Sequence, residues 1–217
     1  MKPAKQGPSG VSAYVSRRSF LQAGALGVTG LAAGGARLAW AQGEARRGGT
    51  LVVRSGPIRG IDPHMETWAT TLQVVHQTYN ALLKFNHDGT KILPDLAESW
   101  EQKDDLTYAF RLRQGVKFHN VPPVNGREVT SEDVKYSIER QMTNQPGKFQ
   151  HAYFFLDKLA SIQTPDKYTI VFKTREPYAP FLNYIASPWT VIVAREVVDK
   201  HGDLQRHAIG TGPFVMQ

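Results

Sequence analysis

Seven histidines, at 64, 76, 87, 119, 151, 201 and 207, are the first residues to test for chemistry. A preformed zinc or iron site needs several nitrogen or oxygen ligands close in space, commonly announced by HxxxH or HxH with a nearby acid. No such pair occurs, so the histidines read as surface or singly satisfied groups. Asp104-Asp105 is an adjacent carboxylate pair, but neighbours on a strand or turn point apart, which suits a solvated turn better than acid–base work. Gly210-Thr211-Gly212 has the composition of a dinucleotide loop. It precedes a strand pattern instead of opening a helix, and Pro213 follows, so a pyrophosphate cradle is rejected. The chain has neither a Gly-Lys-Ser/Thr phosphate loop nor a G-x-S-x-G nucleophile elbow. With zero cysteines it has no thiolate nucleophile, no thiolate zinc site and no disulfide. These residues predict no catalytic constellation and no cofactor.

Arginine supplies a different kind of signal. Residues 1–41 contain Lys2, Lys5, Arg17, Arg18 and Arg37, and no acid. After Arg18 comes a weakly apolar stretch, Phe20 to Ala36, and then Ala39-Trp40-Ala41. A charged start, an apolar middle and small residues at −3 and −1 are the parts of an export signal, with cleavage expected after Ala41. The run Ser16-Arg17-Arg18-Ser19-Phe20-Leu21-Gln22 resembles the twin-arginine motif, with Gln22 where Lys is usual. The alternatives are a basic disordered tail and a permanent anchor. An anchor needs roughly 20 apolar residues, and the five glycines at 24, 27, 30, 34 and 35 weaken this one. A lipid anchor would need a cysteine.

The leader also explains the charge. The whole chain has 26 Lys+Arg against 19 Asp+Glu. Setting aside the five leader cations leaves 21 against 19. The remaining charges are interspersed rather than clustered, which argues against a nucleic-acid partner. A hydrophobic content of 41% supports a packed core.

The elements that would position a site follow from periodicity. Thr50 to Arg54 reads as a short strand. From Trp68 the apolar positions 68, 72, 75, 79 and 82 form one stripe of an amphipathic helix, expected to reach residue 84. His87 to Thr90 is a turn. Residues 106, 108, 110 and 112 alternate as one face of a strand, after a Trp-containing strand and the turn at Asp104-Asp105. Val116 to Phe118 reads as another short strand. Thr130 and Asp133 fit a capping box, with Val134, Ile138 and Met142 on the inner face of the helix that follows. Residues 158–162 and 168–173 read as a hairpin across Pro165-Asp166. Phe181 to Ile185 reads as a short helix, and Thr190 to Ala194 as a buried strand.

Four of these segments, "ILPDLAESWE", "LTYAFRLRQGVKFHN", "TSEDVKYSIER" and "GTGPF", resemble the solute-binding proteins of bacterial ABC transporters, in the family of dipeptide- and oligopeptide-binding receptors. Order and spacing match over nearly all of residues 50–217. The stretch "VPPVNGR", 121–127, departs from the family's shorter turn. The resemblance implies an α/β fold, a two-lobed receptor of the periplasmic-binding-protein type II kind. Lobe I would begin in residues 42–87, lobe II would occupy 88–208, and 209–217 would start the return to lobe I. Family members are more than twice this long, so the chain is expected to hold only the N-terminal part of such a receptor.

The implied partners are a peptide or other small solute, an ABC permease in the inner membrane and the twin-arginine translocase; the implied state is a periplasmic monomer without catalysis. Met65, Glu66, Thr67 and Trp68 follow a strand end and precede a helix start, where α/β ligand clefts form. They are the candidate cleft residues, with Trp189 beyond Pro188 as another. Trp68 continues the helix stripe, so a core role stays open for it. An exported cofactor-bearing enzyme and a periplasmic chaperone for extended chains are the rival readings.

Overall fold

Hairpins built from alternating sequence organise the chain, as seen in a computed structural model that describes residues 52, 56–143 and 158–216. β1 (Leu83–Phe85) and β2 (Ile92–Pro94) pair antiparallel around the turn at Asn86–Lys91. β3 (Ala97–Gln102) and β4 (Thr107–Leu112) form the next hairpin. Its turn is made by Asp104, whose carboxylate accepts the Leu106 N–H at 2.8 Å. The aspartate pair is therefore turn chemistry, since an Asx turn needs only one short acceptor. β5 (Leu159–Asp166) and β6 (Thr169–Thr174) make a third hairpin. A four-stranded antiparallel sheet results, in the order β3-β4-β6-β5.

One face of this sheet is the core. Tyr108, Phe110 and Leu112 of β4 and Ile170 and Phe172 of β6 are buried. Phe172 packs edge-on against Phe110 and against Phe181, each at 5.6 Å between ring centroids. Phe181 opens the short helix of residues Phe181–Ile185. The longest helix among the described residues, Ser131–Met142, lies across β5 and β6. It begins as expected. Asp133 accepts the Thr130 N–H at 2.8 Å, which closes the capping box, and Val134 and Ile138 are buried. Among the described residues the helices, in chain order, are α1 (Ala69–Thr78), α2 (Ser131–Met142), α3 (Phe181–Ile185) and α4 (Arg195–His201).

Five expectations need correction or a limit. The first strand, 50–54, lies outside the described residues except Val52, which is not in a strand. Helix α1 stops at Thr78, not at residue 84. Tyr79 and Leu82 are buried as the stripe implied, but beyond the helix, Tyr79 on extended chain. The reason is competition for the end of the helix. Gly212 N–H donates to Thr78 O at 2.8 Å and Phe214 N–H to Gln77 O at 3.1 Å, so the "GTGPF" segment satisfies the last carbonyls. Asn80 then turns away to donate to both oxygens of Asp95, at 3.0 and 3.1 Å, and to accept the Thr211 hydroxyl at 2.9 Å. Two of the quoted motifs meet at that one side chain.

The expected strand at 116–118 is reduced to a single bridge, Lys117 with Glu128, because His119 N–H turns to Gly210 O at 2.8 Å. The β5–β6 turn falls at Lys167-Tyr168, and β5 runs through Pro165. Proline is tolerated there because β5 is an edge strand with a register break between Gln163 and Asp166. Thr190 to Ala194 is buried but joins no ladder; Ile192 N–H reaches Asn80 O and Val193 N–H reaches Ser137 Oγ. Helix α4, which periodicity did not suggest, follows directly, with Glu196 in its first turn, Lys200 and His201 in its last, and Gly202 at φ +85° closing it.

Candidate functional site

The candidate residues 65–68 sit on a loop between Gly56 and α1. Met65 and Glu66 are half-buried, while Thr67 and Trp68 are exposed. Trp68 is the N-cap residue of α1 in an extended conformation and is 49% exposed. The core alternative for Trp68 therefore does not hold. Its ring face is covered by the Arg59 guanidinium, 4.5 Å from the ring centroid. At an exposed site such a pair is worth about 0.5–1 kcal/mol, enough to orient both groups. Glu66 accepts the Gln205 side-chain amide at 3.0 Å, and Ile61 N–H donates to Gln205 O at 3.3 Å. Trp189 is half-buried in the turn before the 190–194 segment, with its N–H on Ser187 Oγ at 3.4 Å.

Beneath these residues lies a buried ionic cluster that local sequence reading did not find. Asp62 and His64 are 0% exposed and Arg140 is 7% exposed. Arg140 donates to Asp62 from both terminal nitrogens, at 3.1 and 2.6 Å. Asp62 also accepts the backbone N–H of His64 at 3.0 Å and of Leu204 at 3.1 Å. Burial alone would raise the Asp62 pKa. The Arg140 guanidinium outweighs that and holds the carboxyl below its ordinary value. The His64 ring accepts from Arg140 at Nδ1, 2.9 Å, and donates from Nε2 to Val191 O, 2.9 Å. His64 is thus not a surface histidine. It ties the 60–66 stretch to the chain just beyond Trp189, and so brings two separate candidate stretches onto one support.

His119 is likewise buried rather than on the surface. It donates from Nε2 to Gly212 O at 2.9 Å and accepts the Gly210 N–H at 3.3 Å. Both bonds anchor the "GTGPF" segment.

A separate open groove of about 490 Å³ lies along α2 and α4. Arg127, from the "VPPVNGR" stretch, bridges Asp133 and Glu196 across it, and Arg195 pairs with Asp199. Those two carboxylates hold the Arg127 guanidinium pKa above its ordinary value. The stretch that departs from the family pattern thus joins two helices instead of altering only local surface. Among the described residues no group of three or more His, Cys, Asp or Glu could hold a metal ion. Also among them, no helix is long and apolar enough to cross a membrane. The 56–68 loop thus carries an indole, a guanidinium stacked on it, a thioether and a carboxylate within ten positions of one another.

The described fold is that of periplasmic binding proteins. It matches HbpA2 from Haemophilus parasuis with a TM-score of 0.66 and 31% identity, over 75% of this chain and 36% of that one. The match to the ABC transporter-associated periplasmic binding protein DppA from Helicobacter pylori, in complex with the peptide STSA, has a TM-score of 0.65 and 31% identity, over 75% and 35%. Residues 91–217 match the middle region of the bacterial extracellular solute-binding proteins, family 5, and the chain belongs to that family. It is 35% identical over 200 residues to di/tripeptide-binding protein 1 of Pseudomonas aeruginosa, covering 83% of this chain and 37% of the relative. Against the dipeptide-binding protein of Escherichia coli it is 34% identical over 187 residues, covering 77% and 35%. The chain therefore spans little more than a third of the length of these curated relatives.

Proposed function

We propose that this chain contributes the loop-and-lobe part of an extracytoplasmic receptor that binds peptides or similar small solutes for an ABC permease. Residues 42–87 and 209–217 belong to lobe I in this reading, 88–208 to lobe II, and Met65, Glu66, Thr67, Trp68 and Trp189 face the cleft. The observation that carries it is the 35% identity to a di/tripeptide-binding protein over most of the chain. The exposed Trp68–Arg59 pair supports it, because small-solute sites combine aromatic surface with a few fixed polar groups. Thermal unfolding of a full-length receptor that contains this chain, followed with alanyl-alanine, glutathione or haem, tests the reading. A true ligand at a hundredfold excess over its Kd adds about 2.7 kcal/mol and raises Tm. If none of the three moves Tm, the solute-receptor reading fails for these classes. Quenching of tryptophan fluorescence by the active probe is expected to vanish in Trp68→Phe/Trp189→Phe. Quenching that survives the double substitution removes both residues from the site.

Export by the twin-arginine route belongs to the same proposal. Arg17→Lys together with Arg18→Lys is expected to abolish export, because ammonium groups do not reproduce the guanidinium fork. The readout is the ratio of precursor to chain cleaved after Ala41. Unchanged export of the double variant would favour a general secretory signal.

A further inference from the structure

We propose that Arg59 is a specificity-determining residue of the solute site, presented on the face of Trp68 to receive a carboxylate group of the solute. Its link to uptake rests on the receptor reading above; the anion preference rests on the loop's own geometry. Arg59 and Trp68 are both exposed, and the guanidinium carbon stands 4.5 Å from the centre of the indole ring. This contact engages the positive charge through the electron-rich face of the ring. It leaves the N–H donors unused: among the described residues Arg59 donates no hydrogen bond and forms no ion pair. Two adjacent N–H groups of a guanidinium match the two oxygens of a carboxylate, a fit that a lysine ammonium does not reproduce.

The 56–68 loop contains two acids that could neutralise Arg59, and both are held elsewhere. Asp62 is buried and takes both terminal nitrogens of Arg140. Glu66 accepts the Gln205 side-chain amide at 3.0 Å. Gly60 makes room for that second bond. A Cβ at position 60 would lie 1.8 Å from Gln205 Oε1 and 2.6 Å from Glu66 Oε1, so a larger residue beside Arg59 would push the pair apart. The first turn of α1, which follows Trp68, holds no acidic side chain. A cation with open donors therefore stands on an aromatic face with no carboxylate of its own to displace. An incoming carboxylate gains both the charge and the fork, whereas a neutral group at the same point gains neither. Gln205 acts as a positioning residue, because its amide keeps Glu66 off Arg59.

The experiment uses a full-length receptor that contains this chain, with alanyl-alanine and alanyl-alanine amide as probes. The two differ only in the carboxylate. The ratio of their affinities is expected to fall about tenfold in Arg59→Gln, the low end for a hydrogen bond to a charged group. It is expected to fall in Gln205→Leu as well, and to recover when Glu66→Gln is added. A merely structural loss would lower both affinities together and would not be recovered in this way, so failure of the rescue overturns the role of Gln205. A ratio unchanged in Arg59→Gln overturns the proposal and leaves the receptor reading standing. If neither dipeptide binds, the receptor reading fails for this class, and acetate decides the role of Arg59 alone. The Arg59 Nε–H resonance, identified by its absence in Arg59→Gln, is expected to shift saturably with acetate and not with chloride at equal ionic strength. Equal responses to the two salts overturn the proposal.

Discussion

Arg140→Leu is expected to destabilise the protein by about 3–5 kcal/mol at pH 7, because it leaves the Asp62 carboxylate buried without its counter-ion. That is a large part of the roughly 5–15 kcal/mol that holds a typical domain together. The sign of the pH dependence follows from Asp62. Its folded pKa lies below the unfolded value, so its stabilisation is present above the unfolded value and is lost as pH falls through the folded one. In the leucine variant the isolated buried carboxyl takes up a proton at higher pH instead, so the deficit shrinks on acidification. Urea denaturation of both proteins at pH 7 and near pH 4 measures this. The double variant Asp62→Asn/Arg140→Leu is expected to recover part of the loss, since it removes both charges. A single-variant deficit below about 1 kcal/mol would mean that the pair contributes no more than a surface ion pair.

Gly210→Ala is the second large effect. A Cβ there would lie 2.1 Å from Thr78 O, 2.9 Å from Thr78 C and 2.7 Å from the Tyr79 ring. Two of those are backbone atoms, and Thr78 O is already fixed by the Gly212 N–H. Nothing flexible can yield, so the segment must lift from the end of α1, at a cost on the order of 3 kcal/mol. Gly202→Ala separates contact from conformation. Gly202 has φ +85° but no atom within 4 Å of an added Cβ, so only the left-handed backbone penalty applies, about 1 kcal/mol. Equal losses in the two variants would refute a steric role for Gly210.

Local pattern made the hairpins legible. The alternation at 106–112, the turn at Asp104 and the capping box at Thr130 each depend on residues within a few positions of one another. The break in α1 was not legible, since the spacing of 68, 72, 75, 79 and 82 is the same whether Tyr79 is buried from a helix or from extended chain. What ends the helix is a segment more than 130 residues away. Separation also hid the ionic cluster. Asp62 and Arg140 stand 78 positions apart. Asp62 stands next to Pro63 at a turn, and Arg140 is one of several charged residues on α2, so nothing local marks either. His64 carried no distinguishing neighbour, because its role depends on a backbone carbonyl at Val191. The candidate stretch 65–68 was reached from strand-to-helix position, and its support was invisible for the same reason.

The edges of the sheet bear on how a peptide could be recognised. Extended peptides are often captured as one more strand, their main chain hydrogen-bonded to an open edge. Here one outer strand, β5, contains Pro165, which has no N–H to offer, and its register breaks twice. The other, β3, carries an irregularity between Ala97 and Ser99 and exposes Glu98 and Glu101. Both features discourage accretion of a foreign strand. Neither outer strand of this sheet therefore offers a continuous row of free main-chain donors and acceptors to an incoming strand.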